Sequence, residues 1–230
     1  MSSAISSVLA ATRILPSSSK RIMTVAAAAS SGTPSATAKM QTQANQSSSD
    51  SFESIGVKNT NINVASGVNL SSHQELLVGS ILDLFEGNPT LKHLSLWSPT
   101  ATFADNLTVA EGFDRYAAQW YGLPTVFKPI SIQSHKVVSA GNPIEIDLRN
   151  KYTLKGIKTE QEIASKVKIF VDSASGKISR VEDRWNDKLP GGAISQAFRK
   201  LNAVTVPTMV KVPKTEEEDM KMKAELKGQK

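Results

Sequence analysis

Two aspartates make the chain's best case for chemistry. In "TATFADNLTVAEGFDRYAAQWYGL", residues 100–123, Asp105 follows a short apolar run and keeps the strand parity of Ala101 and Phe103. In "ISRVEDRWND", Val181, Asp183 and Trp185 alternate with Arg180, Glu182 and Arg184, which puts Asp183 on the face opposite the charges. A carboxyl held among apolar groups has its pKa raised and can work as an acid or base near neutral pH. Two such groups in unlike environments can divide those roles. Each also has a plainer reading. Asp105 fits a turn aspartate bonded to the amides before Thr108. Asp183 fits a wet rim position paired with a neighbouring cation.

Other side chains offer supporting roles. Asn150 and Tyr152 share the apolar face of "IEIDLRNKYTL" and could present an amide and a hydroxyl to a ligand carbonyl, although a buried tyrosine is often satisfied by backbone alone. His135 keeps phase with Phe127 and Val137, as a proton shuttle or as a structural strand histidine. Trp120 and Trp185 would wall a pocket. The chain has no cysteine, which excludes disulfides, thiolate metal sites and cysteine nucleophiles. His73, His93 and His135 share no helical metal-ligand spacing. No metal site and no cofactor is therefore expected.

These residues need a frame. "SHQE" at Ser72–Glu75 reads as a capping box, followed by Leu77, Ile81, Leu84 and Phe85 at helical spacing and Gly87 at the stop. Asn88-Pro89 opens a second helix with Leu91, Leu94 and Trp97 buried, which Pro99 ends. Thr100–Phe103 reads as a strand. Thr108 and Glu111 read as a second capping box ahead of Val109, Phe113, Tyr116, Ala117 and Trp120, with Gly122 and Pro124 ending that helix. Beyond Pro124 the period changes to two, through "VFKPISIQSHKVVSA", "IEIDLRNKYTL", "EIASKVKIFVD" and "ISRVEDRWND". "GGAISQAFRKLNA" suggests one more short helix. The fold class is α+β, with antiparallel strands that each have one apolar and one charged face.

Composition sets the outer limits. Of 230 residues 40% are apolar, enough for one core with unstructured ends. The first 49 residues are rich in Ser and Ala and hold Arg13, Lys20, Arg21 and Lys39 but no acid, so they carry four of the six units of net positive charge. Such a basic, serine-rich, weakly amphipathic leader fits a mitochondrial transit peptide or a plain disordered tail, and Met23 or Met40 could start a cytoplasmic form. The rest is near neutral, which argues against nucleic acid, and no apolar run is long enough to span a bilayer. Residues 50–70 read as linker, 71–205 as the domain and 206–230 as a charged, frayed tail.

The order helix, short helix, "ATFAD" strand, helix ending "WYGL" and a meander closing on "VEDRWND" resembles the nuclear transport factor two-like superfamily, SnoaL-like branch, over about residues 71–190. The resemblance implies a cone-shaped curved antiparallel β-sheet wrapped around N-terminal helices, enclosing a pocket. It implies a cofactor-free isomerase, cyclase or dehydratase acting on a small apolar or carbonyl-bearing ligand, or a non-catalytic ligand-binding or protein-interaction module on the same fold. Asp105 falls where ketosteroid isomerases of the superfamily hold their general base, but their oxyanion partners fall here at about Ser80 and among Val167 and Lys168. Family members often pair through the outer sheet face, so a homodimer there is a further expectation, through a polar interface given its charges.

Overall fold

The computed structural model describes residues 50–186, 192–204 and 210–228. The expected transit leader lies outside them. Among the described residues the elements run in the order α1 (Phe52–Ile55), α2 (Ser72–Phe85), α3 (Leu91–Ser95), β1 (Trp97–Ala104), β2 (Val109–Glu111), α4 (Phe113–Val126), β3 (Phe127–Ser139), β4 (Ile144–Leu154), β5 (Glu160–Val171), β6 (Ile178–Trp185), α5 (Ala193–Val204) and α6 (Glu216–Gly228). The sheet order is β2-β1-β6-β5-β4-β3. It bends around α2 and α4 without closing into a barrel, which is the α+β cone expected.

The alternating strands behave as their sequences say. Ile144, Ile146, Leu148, Asn150 and Tyr152 of β4 are buried beside Ile163, Val167 and Ile169 of β5 and Val181 of β6. A period of two with one wet face leaves no other register that hides these groups. Helix α4 is buried from Tyr116 to Pro124, because β1, β2, β3 and α5 all pack against it. Trp97, Trp120 and Tyr116 fill the middle; Trp97 stacks on Tyr116 with centroids 4.9 Å apart.

Several local expectations shift. The cap of α2 is Ser71 with Gln74, one residue earlier than expected. Helix α3 is capped by Thr90, and Trp97 to Pro99 belong to β1 instead of ending that helix. Thr108 and Glu111 form no capping box: Val109–Glu111 is a strand paired to β1, and α4 starts after Gly112. Pro124 sits inside α4, whose last turn runs on to Val126. Strand pairing outcompetes a two-residue cap when Phe103 and Ala104 already offer a ladder to Ala110 and Val109.

The sheet is not wholly antiparallel. β1 and β6 pair in parallel, with Phe103 opposite Val181 and Ala104 opposite Glu182. The β3–β6 meander carries the chain back to its first strand, a long-range pairing that periodicity cannot show.

Residues 50–70 are not a linker. Ile55 and Val57 are buried, Phe52, Ile62, Val68 and Leu70 pack on the core, and Asn63 to Ala65 bonds along Val137 on the open edge of β3. The hydrophobic groups have no regular period, so sequence pattern misses them. Asp83 of α2 fixes the segment: it accepts Lys58 N at 2.8 Å, Asn59 N at 3.2 Å and Asn59 Nδ2 at 2.7 Å. His93 Nε2 lies 3.2 Å from Asp83 Oδ2, in ion-pair range but poorly aligned for a hydrogen bond.

The described part of the tail, residues 210–228, likewise packs on the fold. In α6, Asp219 accepts Tyr121 Oη–H at 2.7 Å and the Leu91 N–H at 3.0 Å. That one buried carboxylate docks an otherwise charged helix and satisfies a free amide at the start of α3. No helix among the described residues is long and apolar enough to cross a membrane.

Candidate functional site

The parallel pairing of β1 and β6 brings the two aspartates together. Phe103 and Val181 are register partners pointing inward, so the next inward positions, Asp105 and Asp183, leave the sheet at the same end. Both line one cavity, together with Gln119, Trp120 and Leu123 of α4, Tyr152 of β4, Trp185 of β6 and Phe198 of α5. Phe85 and Phe103 complete it.

The cavity is small. About 20 Å³ remains, room for roughly one water. Aromatic rings account for the rest: Trp120 lies 4.7 Å from Phe103 and 5.2 Å from Phe85, centroid to centroid, and Phe198 lines the same space. A larger cleft of about 290 Å³ lies between the start of β3, α4 and α6, away from both aspartates.

Asp105 satisfies both readings of its position. Its Oδ1 accepts the amides of Leu107 at 2.7 Å and Thr108 at 2.6 Å, the turn role. It nonetheless borders the cavity, and burial pushes its pKa up against the pull of those amides, the Thr108 hydroxyl and Arg184.

Asp183 is 5% exposed. Its Oδ2 accepts Trp185 Nε1–H at 2.7 Å, while Oδ1 has no hydrogen-bond partner. Burial raises its pKa to about 6; the Asp105 charge adds to the rise, and Ser165, Trp185 and Arg184 only partly offset it. Ser165 stands near the carboxyl without making a hydrogen bond of good geometry. The wet, salt-bridged reading of Asp183 therefore does not hold: Arg184 turns outward to Glu182 at 3.5 Å.

Tyr152 is buried, and burial and then the Asp183 charge raise its pKa. Gln119 Oε1 and Trp120 Nε1 are buried without partners. With Asp183 Oδ1 they make three unsatisfied polar atoms on residues around one cavity, where buried polar atoms are ordinarily paired.

The remaining candidates fall elsewhere. Asn150 donates Nδ2–H to the Phe85 carbonyl at 2.8 Å and does not line the cavity. His135 lies on β3, the edge strand farthest from β1, where Nε2 accepts the Asn63 amide at 3.0 Å and the side chain borders a separate groove. Burial pushes its pKa down. Neither reaches the acids, because parity fixes a face but not a position along it. Gln119 and Phe198 were missed. Gln119 was findable as the lone amide in "YAAQWYGLP"; Phe198 was not, because its helix docks through long-range packing. Among the described residues no group of His, Asp and Glu could hold a metal ion.

No protein family and no curated protein matches the chain. Solved structures similar to it include a nuclear transport factor two-like protein of unknown function from Exiguobacterium (17% identity, 49% of this chain and 99% of that one, TM-score 0.40). A hypothetical protein with a ketosteroid isomerase-like fold from Catenulispora acidiphila, in complex with trimethylamine, is similar at 14% identity over 46% of this chain and 82% of that one, TM-score 0.40. A proposed SnoaL-like polyketide cyclase from Jannaschia is similar at 12% identity over 52% and 92%, TM-score 0.42.

Proposed function

We propose that the interior of the cone is a small-molecule site in which Asp183 and Asp105 move a proton, without a cofactor, on a small apolar or carbonyl-bearing substrate. The observation that carries this reading is the unbonded Asp183 Oδ1, buried in the same cavity wall as Asp105. A carboxyl titrating at about 6 is both a competent acid and a competent base near neutral pH. Burial keeps Asp183 protonatable, and the charge of Asp105, held by two backbone amides, adds to it. Tyr152 and Trp120 offer O–H and N–H donors to an oxygen that gains charge during an enolisation, cyclisation or dehydration.

The test is exchange of the α-protons of a panel of small ketones in deuterated water, followed by NMR with the full chain. Exchange should be catalysed with a pH dependence inflecting near 6, and Asp183→Asn should abolish it. A rate equal to buffer across the panel, or one untouched by Asp183→Asn, rejects the acid–base role. It would leave the non-catalytic ligand-binding module as the reading.

A further inference from the structure

Phe198 belongs to α5, a helix outside the sheet, yet its ring sits among rings of the cone. It lies 4.6 Å from Phe127, 5.3 Å from Tyr152 and 5.5 Å from Trp185, centroid to centroid, and is 6% exposed. The two contacts with Tyr152 and Trp185 are edge-on or tilted, the arrangements that aromatic pairs prefer.

This ring covers the cavity without serving it. A hydrocarbon side chain cannot bond Asp183 Oδ1, Gln119 Oε1 or Trp120 Nε1, and all three are left bare around the space beside it. Such atoms are costly to bury unpaired. Among the described residues, α5 is held to the cone by apolar packing alone: Ile194, Ala197, Phe198 and Leu201 face in, and Arg199 and Lys200 face solvent. Leu201 reaches close to Gly122, where a Cβ would stand 2.9 Å from its Cδ1. Apolar packing is non-directional and can be exchanged for another ring of the same size.

We infer that Phe198 occupies in cis the seat of the ligand's aromatic ring, and that the ligand of the cone is a flat single ring bearing one hydroxyl or carbonyl group. The inference rests on the reading of the cone interior as a binding site. The polar substituent points past the position of Phe198 toward Asp183, Gln119 and Trp120. A hydroxyl there donates to Asp183 Oδ1 and accepts from Trp120 Nε1–H, which satisfies two of the three bare atoms. Binding displaces Phe198 and with it the inner face of α5.

The probe is p-cresol, which is the phenylalanine side chain with a hydroxyl added, compared with toluene and 4-methylcyclohexanol by calorimetry on the full chain. Phe198→Ala should bind p-cresol at least ~10-fold tighter than wild type, since the internal competitor is gone. It should prefer p-cresol to toluene by about 10-fold, the worth of one buried hydrogen bond to a charged group. In wild type, saturating p-cresol should speed tryptic cleavage after Arg199 and Lys200. If Phe198→Ala does not fold, Phe198→Leu keeps the bulk and should give a smaller gain in the same direction. Equal affinity of wild type and both variants for p-cresol overturns the inference. So does 4-methylcyclohexanol binding as tightly as p-cresol; there the cone remains a site and only the aromatic class falls. No binding of any probe by any variant removes the site and the inference together.

Discussion

At the scale of single residues, Asp183 is a destabilising group held in place by its surroundings. Its folded pKa of about 6 lies above the ordinary 3.8, so the folded state binds more protons than the unfolded chain between those values. Stability is therefore highest below about 3.8 as far as this group is concerned, and falls as pH rises through 6. The loss is of the order of 3 kcal/mol. Asp183→Asn should erase it, so the variant should gain on wild type in urea melts at pH 8 and gain little at pH 4. An equal shift at both pH values contradicts a raised pKa. Asp83 has the opposite sign. Burial pushes its pKa up, but His93, the Lys58 amide and Asn59 pull it to below 3.8 on balance. Its contribution is present above 3.8 and disappears as pH falls below it. Asp83→Ala should cost about 3–5 kcal/mol, because it strands His93 and the amides of 58 and 59 in the interior. Equilibrium unfolding at pH 7 measures that loss, and a cost below about 1 kcal/mol would contradict it.

At the scale of elements, close approaches decide which segments belong to the fold. Gly79 lets residues 57–59 lie against α2: a Cβ there would stand 2.5 Å from the Asn59 carbonyl oxygen and 2.8 Å from Val57 Cγ1. Gly79→Ala improves helix propensity on its own, yet should destabilise by about 1–3 kcal/mol as the strap is forced off. Faster amide exchange at Lys58 and Asn59 would show that the strap is what moves; unchanged exchange there would separate the two effects against this account. Helix α6 depends on a hydrogen bond in the same way. Tyr121→Phe leaves Asp219 Oδ1 without its 2.7 Å partner, and the helix should lose protection from hydrogen exchange at a cost of roughly 1–3 kcal/mol. Protection equal to wild type would mean that the Leu91 amide and the packing of Met222 hold the helix without the tyrosine.

At the scale of the whole molecule, the outer sheet face carries alternating charges in short pairs, such as Lys166 with Asp147 at 2.7 Å and Lys168 with Glu145 at 3.3 Å. Exposed pairs of this kind contribute little each, so raising salt to about 1 M should leave the unfolding midpoint nearly unchanged. The face was legible from the sequence because alternation is a local property: Ile144, Ile146, Leu148 and Tyr152 turn inward whatever their partners are. The same local rule placed Asp183 inside, and the turn chemistry of "ADNLT" was readable beside Asp105. Strap 50–70, the start of α4 and the docked α6 were not readable, since each is set by contacts with residues far along the chain. By itself, then, the sequence determined the α+β class, the strand faces and the inward parity of two carboxyls, all consequences of backbone geometry acting over a few residues. Only the tertiary structure decided that these carboxyls meet, because parallel pairing of the first and last strands is a long-range event. It alone decided that Phe198 lines the same cavity, because the helical spacing of Ile194, Ala197, Phe198 and Leu201 marks an apolar face but not the place in the molecule where that face docks.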